Sequence, residues 1–167
     1  MADCKMMVSK VLKWEGGWSD NENDSGGPTM RGVTLKTFKH FFGKDKTKED
    51  LKKITNEQWM YIFKKGYWDV MKADSIVNQS LAELCVQCVW GSGGGYVKNI
   101  QRAIGANADG IVGAGTLNVL NSAPEMCFRR IWDARKVFFL NICENNKKNA
   151  IFLNGWLRRL NDYTYNS

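Results

Sequence analysis

The sequence predicts an all-α fold, a compact helical domain with a glycine-rich loop or short irregular hairpin after its first helix. Three observations carry the prediction. Apolar residues recur at three- and four-residue spacing through most of the chain, no alternating run of strand length appears, and caps or glycines stand where the pattern breaks. At 167 residues the chain has the size of one domain. Such a domain buries about two thirds of its unfolded surface and needs no staples.

The elements follow in order. Asp3 to Trp14 makes a helix with Val8, Val11 and Leu12 on its apolar stripe, stopped by Gly16 and Gly17. The polar stretch GGWSDNENDSGGPTMRG is the loop or hairpin. Thr34 caps a short helix through Leu35, Phe38, Phe41 and Phe42, ended by Gly43. Thr47 with Asp50 is a capping signal, and Thr55 with Gln58 a capping box ahead of Trp59, Ile62 and Phe63, with Gly66 as the end of that helix. Asp74 or Ser75 opens the central core helix, which carries Leu81, Leu84, Cys85, Cys88 and Val89 at helical spacing. WGSGGGY breaks the pattern as a loop or sharp kink, and Tyr96, Val97, Ile100 and Ile104 resume it up to Gly105. ANADGIVG reads as a turn, with Thr116 capping a helix through Leu117 and Leu120. Pro124 suits the first turn of a long helix through Met126, Ile131, Val137, Phe138 and Ile142. ENNKKN then turns the chain into a last helix with Ile151, Phe152, Trp156, Leu157 and Leu160.

A net charge of +7 favours an acidic partner, for which nucleic acid, an anionic membrane and bacterial cell wall all qualify. The basic residues are dispersed through KDKTKEDLKK, FKKG, FRR, ENNKK and WLRR and interrupted by acidic ones, a pattern that does not select nucleic acid. No apolar run approaches the roughly 20 residues that span a bilayer, so stable membrane insertion is not expected. The five cysteines lack paired spacing, and the opening MADCKMMVSK lacks an apolar run of signal-peptide length. Synthesis in a reducing cytoplasm without a signal peptide is the expectation. Cys85 and Cys88 lie inside the apolar LAELCVQCVW with no second ligand pair, which reads as buried thiols rather than a metal or redox site. His40, in FKHFF, has no identifiable nucleophile partner and reads as packing.

One carboxylate stands out. Glu15 falls three, four and seven positions beyond Leu12, Val11 and Val8, on the apolar stripe and in the last turn of its helix. Apolar surroundings and the negative end of the helix dipole both disfavour the charged form, so the group is suited to hold a proton. Donating that proton to a leaving oxygen is what glycosidic bond cleavage requires. The following loop carries Asp20, Glu22 and Asp24, of which Asp24 is the first candidate for a second carboxylate over the site. Thr29 and Thr34 provide hydroxyls that can hold a water, and Gly26, Gly27 and Gly32 allow close backbone approach.

WEGGWSDNENDSGGPTMRGVT resembles the E-G-G, then D-x-G-G-x-T-x-x-G-[IV]-T signature of glycoside hydrolase family 108. Those proteins are lysozyme-like N-acetylmuramidases of bacteria and phages, some under the older label of secretion activators. GYWDVM resembles the family's Y-W-D segment. NIQRAIGANADGIVGAGTL resembles its predicted peptidoglycan-binding region, with Q-x-A-[LI]-G and D-G-x-x-G-x-x-T, and FLNGWLRR its terminal G-W-x-x-R. The matches run in order from about Val11 to Arg159, while GSGGGY departs from the small-residue helix expected before Q-x-A-[LI]-G.

The resemblance implies a lysozyme-like fold in one domain, residues 1–167, with a catalytic part to about 90 and a peptidoglycan-binding-like part beyond. It puts the catalytic glutamate on Glu15. In related phage lysozymes an acidic residue nine positions later and a threonine further on organise water; Asp24 has that offset, and the threonine is Thr29 or, with another loop length, Thr34. Tyr67 and Trp68 are candidates to cover a pyranose face, against core packing. Asp109, Gly110, Gly113 and Thr116 serve a turn and cap in preference to glycan contact, and Trp156 and Arg159 stay open between the two roles. The implied activity is hydrolysis of the β-1,4 bond between N-acetylmuramic acid and N-acetylglucosamine in peptidoglycan glycan strands, at the cell wall, with no metal or cofactor. The alternatives are a non-catalytic peptidoglycan-binding or secretion-associated protein, a lytic transglycosylase and, most distant, a nucleic-acid binder.

Overall fold

Side-chain caps open four of the helices in the computed structural model, which describes residues 1–20 and 27–167. Nine α-helices and one three-stranded sheet form among the described residues. The packing divides the chain into two units, Lys5–Gly66 and Met1–Cys4 with Tyr67–Ser167.

In Lys5–Gly66, α1 (Cys4–Trp14) buries Met7 and Val11, while Val8 and Leu12 are half-buried at the edge of the stripe. The described parts of the glycine-rich segment take the hairpin form of the two expected. β1 (Trp18–Ser19), β2 (Thr29–Met30) and β3 (Val33–Thr34) form an antiparallel sheet in that order. Thr34 caps α2 (Leu35–Phe42), accepting from the Thr37 N–H, and Gly43 closes it at φ +119°. Capping boxes at Thr47 with Asp50 and Thr55 with Gln58 open α3 (Lys48–Lys52) and α4 (Asn56–Phe63). Trp59, Ile62 and Phe63 of α4 are buried, and the rings of Trp59 and Phe63 stack 5.2 Å apart.

Gly66 does not end α4, in contrast to the sequence expectation, because the chain continues as a π-helical turn over Lys64–Trp68. A Cβ at Gly66 would lie 3.3 Å from Cζ of Phe41, so the glycine serves close approach to that ring rather than chain reversal.

In the other unit, Asn78 rather than Asp74 or Ser75 caps α5 (Gln79–Ser92), accepting from the Leu81 N–H. Asp74 and Ser75 lie in a preceding 3₁₀ turn, and the Asp74 carboxylate accepts the indole N–H of Trp68 at 2.7 Å. Ser80 through Val89 are all buried, which makes α5 the core helix. Leu81 and Leu84 each contribute about 2 kcal/mol by leaving water. Burial pushes the Cys88 thiol up to about 11 and raises Cys85 as well, so both stay protonated and inert rather than becoming nucleophiles or ligands.

Gly93 reverses the chain at φ +79°, a 3₁₀ turn follows, and α6 (Val97–Ile104) ends at the left-handed Gly105. α8 (Pro124–Asn145) begins on Pro124 and packs against α5, α6, α7 (Ala114–Ser122) and α9 (Ala150–Asn161). Its buried face is Cys127, Phe128, Ile131, Arg135 and Phe139, not the expected line through Met126 and Val137, which are exposed. On α9 only Leu160 is buried, while Ile151 and Phe152 face solvent.

The D-G-x-x-G-x-x-T stretch is organised by one buried side chain. Gln101 directs Nε2 to Asp109 Oδ1 (2.9 Å), the Ile111 carbonyl (3.0 Å) and Thr116 Oγ1 (3.1 Å), its two protons shared among the three acceptors, and its Oε1 accepts from the Gly110 N–H (2.8 Å). Thr116 therefore does not cap α7, whose cap position is Gly113; it lies inside the helix, buried on Gln101.

The Ile111 N–H and the Gln101 amide hold the Asp109 carboxyl below its ordinary value. The Thr47 backbone N–H and hydroxyl do the same for Asp50, and the residue's own N–H with Thr55 for Glu57. Carboxyls lowered in the folded state stabilise it above their unfolded values and lose that contribution as pH falls through the folded ones. Urea midpoints are therefore expected to hold between pH 7 and 5 and to decline below about pH 4. Asp109→Asn should lose less than the parent over that fall, and identical curves would deny Asp109 its part.

Candidate active site

α1 ends at Trp14, and Glu15 is the first residue beyond it, with its N–H directed to the Leu12 carbonyl at 3.3 Å. The position four residues after the buried Val11 keeps Glu15 on the core-facing side, and it is half-buried. Gly16 and Gly17 then lead into β1, and a Cβ on either would meet nothing within 4 Å.

The sheet that follows has a defined register. Trp18 pairs with Met30 and Ser19 with Thr29; Thr29 in turn pairs with Thr34 and Met30 with Val33. Directly opposed residues on antiparallel strands share a face, so Trp18, Met30 and the buried Val33 form one side. The other carries a row of hydroxyls: Ser19, Thr29 and Thr34.

The turn between β2 and β3 is the two-residue pair Arg31–Gly32, at φ +51° and +79°, as a tight twisted hairpin demands. A left-handed arginine costs about 1–2 kcal/mol. Three contacts hold it: its carbonyl accepts from Trp59 Nε1 at 2.9 Å, its guanidinium donates to Asn56 Oδ1 at 2.9 Å, and that group lies 5.7 Å over the Trp59 ring. α3 holds β1 and the residue after it, with Lys48 Nζ 2.9 Å from Asp20 Oδ2 and Lys52 Nζ 4.8 Å over the Trp18 ring.

The register brings together the two threonines between which the sequence leaves the water-holding role open. Thr29 donates its hydroxyl proton to the Gly27 carbonyl at 2.9 Å, which leaves both lone pairs to accept from a water. Thr34 accepts from the Thr37 N–H at 3.1 Å and donates to Thr37 Oγ1 at 3.0 Å, so one lone pair remains. Thr29 is the better-equipped acceptor and Thr34 chiefly a helix cap. Asp24 lies outside the described residues.

The two aromatic candidates, in the other unit, differ. Trp68 is fully buried and tied to Asp74, so it packs the core and has no face to offer a sugar. Tyr67 is half-buried, edge-on to Trp90 with ring centroids 4.6 Å apart. Ser19 and Arg31 were not legible as site residues. The only trace of Ser19 is the apolar–hydroxyl alternation of Trp18–Ser19, Thr29–Met30 and Val33–Thr34, too short per strand to register.

Comparison with known proteins places most of the chain in a family. Residues 96–161 match the model described as a predicted peptidoglycan domain. A solved structure of SagA from Brucella abortus is similar at 25% identity and a TM-score of 0.83, covering 95% of this chain and 90% of that one. Among curated proteins none matches. Residues 8–93, more than half of the chain and including Glu15, the sheet and α2 to α5, match the glycosyl hydrolase 108 model. The chain is a glycoside hydrolase with a peptidoglycan domain, and it belongs to glycosyl hydrolase family 108.

Proposed function

We propose that the protein is an N-acetylmuramidase, cleaving the β-1,4 bond between N-acetylmuramic acid and N-acetylglucosamine in peptidoglycan. The observation that carries this is the half-buried Glu15 at the mouth of α1, directly ahead of a hydroxyl-lined sheet, inside the stretch matching the hydrolase family. Glu15 gives its proton to the glycosidic oxygen as the bond to the anomeric carbon breaks. A water accepted by Thr29, with Asp24 as the second carboxylate, attacks that carbon, and the proton it sheds restores the acid or passes to solvent. Thr34 supports Thr29 from across the strand pair. The charge of +7 favours residence on an anionic wall, where the enzyme acts after leaving the cytoplasm. Among the described residues no helix is long and apolar enough to cross a membrane.

Mass spectrometry of fragments released from purified sacculi tests the reading. Expected products carry N-acetylmuramic acid at a free reducing end. N-acetylglucosamine at that end would move the cleaved bond, and anhydro products lighter by one water would make the enzyme a lytic transglycosylase. Sedimentation with sacculi but no new reducing ends would leave a binding protein.

A further inference from the structure

Arg135 is a charge in the wrong place. It lies in the middle of α8 at 1% exposure, with its guanidinium 4.4 Å from the Tyr96 ring centroid, 4.5 Å from Phe139 and 5.1 Å from Phe138. Nη1 donates to Ser92 Oγ at 2.8 Å, but Nε is buried with no partner. Among the described residues no carboxylate pairs with it. Its titratable neighbours do not neutralise it either: burial pushes the Tyr96 phenol up to about 12 and the Cys88 thiol up to about 11, so both are uncharged. An unpaired cation inside a protein is costly, and aromatic faces offset only part of that cost.

Beside it is a cavity of about 170 Å³ lined by Gln87, Arg135, Phe138, Phe139, Trp156 and Arg159, among others. Gln87, 2% exposed, also lacks a partner for its Oε1. Gly91 makes room for the guanidinium at the cavity wall, since a Cβ there would come within 2.9 Å of Arg135 Nη2. The cavity thus presents a buried guanidinium, an unused donor, an unused acceptor and apolar walls. Its volume is below the roughly 300 Å³ at which small-molecule pockets begin, so it takes a terminal group rather than a saccharide. The chemical complement is an acylated amino acid ending in a carboxylate: the carboxylate answers arginine, the amide N–H answers Gln87 Oε1, and a small side chain meets the rings.

We infer that the Arg135–Gln87 cavity is a receptor for the carboxyl-terminal alanine of a peptidoglycan stem peptide. The choice of stem peptide over other peptide termini rests on the function proposed above. The carboxylate site itself does not.

The probe is acetyl-D-alanyl-D-alanine, titrated into the full-length protein with intrinsic tryptophan fluorescence and calorimetry as readouts. Saturable binding is expected, weakened at least tenfold by replacing the terminal carboxylate with an amide. Gln87→Leu, which keeps the volume and removes the acceptor, should weaken it several-fold, and Arg135→Gln should abolish it. Should Arg135→Gln fail to fold, the amide probe and Gln87→Leu still decide. No saturation by 10 mM, or equal binding of acid and amide, or no effect of Gln87→Leu, would overturn the site. Sacculi stripped of peptides by an amidase should sediment less of the protein than intact sacculi, and equal sedimentation would remove the stem peptide as its ligand. Glu15→Gln should retain probe binding while losing cleavage, so a failure of the muramidase reading and a failure of this one are told apart.

Discussion

Glu15→Gln is expected to lower turnover on purified sacculi by about 10²–10⁴-fold while leaving the fold intact. Glutamine keeps the shape and hydrogen-bonding reach of the side chain but has no acidic proton to pass to a departing oxygen. The effect on stability should be small because the residue lies just past the last turn of α1 and is only half-buried. The shape and length of the side chain are kept, and substitutions away from a fully buried position usually shift stability by less than about 0.5 kcal/mol. Helicity by circular dichroism should therefore match the parent, with a melting shift under about 3 °C. Release of reducing ends, measured beside the melt, separates the two effects. A variant with near-parental turnover would take Glu15 out of the mechanism, and one that fails to fold would give the side chain a structural duty instead.

The second large effect is on stability and lies far along the chain from Glu15. Gln101→Leu is expected to destabilise the protein by about 2–4 kcal/mol, lowering the melting point by roughly 6–12 °C. One fully buried amide satisfies the Gly110 N–H, the Ile111 carbonyl, the Asp109 carboxylate and the Thr116 hydroxyl. Leucine fills the same space and answers none of them. Thr116 is the costly orphan because it is buried, whereas Asp109 and the loop backbone can turn in part to water. Gln101→Glu is the informative partner variant: it loses the Nε2 donors and sets a carboxylate where the amide stood 2.9 Å from Asp109. Its deficit should shrink as the pH falls toward 4 and the pair takes up a proton, the opposite trend to the parent. A loss below about 0.5 kcal/mol for Gln101→Leu would mean that water replaces the amide at every partner.

Much of the helix framework is local chemistry. Thr34, Thr47 and Thr55 cap the helices they head in the sequence, and Gly43 and Gly105 close theirs. Asn78 shows where the local reading slips: Asp74 and Ser75 are equally good caps by type, but Asp74 is recruited by the Trp68 indole and the helix starts four residues later. Gly66 fails for a similar reason, since the ring of Phe41, distant in sequence, explains it better than its own backbone freedom. In the site, Glu15 was legible because two short-range features, an apolar stripe and a glycine stop, coincide there. Trp68 stays open in the sequence because an aromatic beside another aromatic looks the same whether it faces a ligand or a core.

The amino-acid sequence by itself determined the helical class, many of the element boundaries and the place of a glutamate on the apolar side at the end of α1. Those depend on hydrogen bonds and side-chain spacings that close within three or four residues. Only the tertiary structure decided that Ser19, Thr29 and Thr34 share one face of a sheet, that Trp68 lies inside, and that Arg135 is buried without a counter-charge. Each of these is settled by strand register or by packing between residues tens of positions apart, and local periodicity contains no term for such contacts.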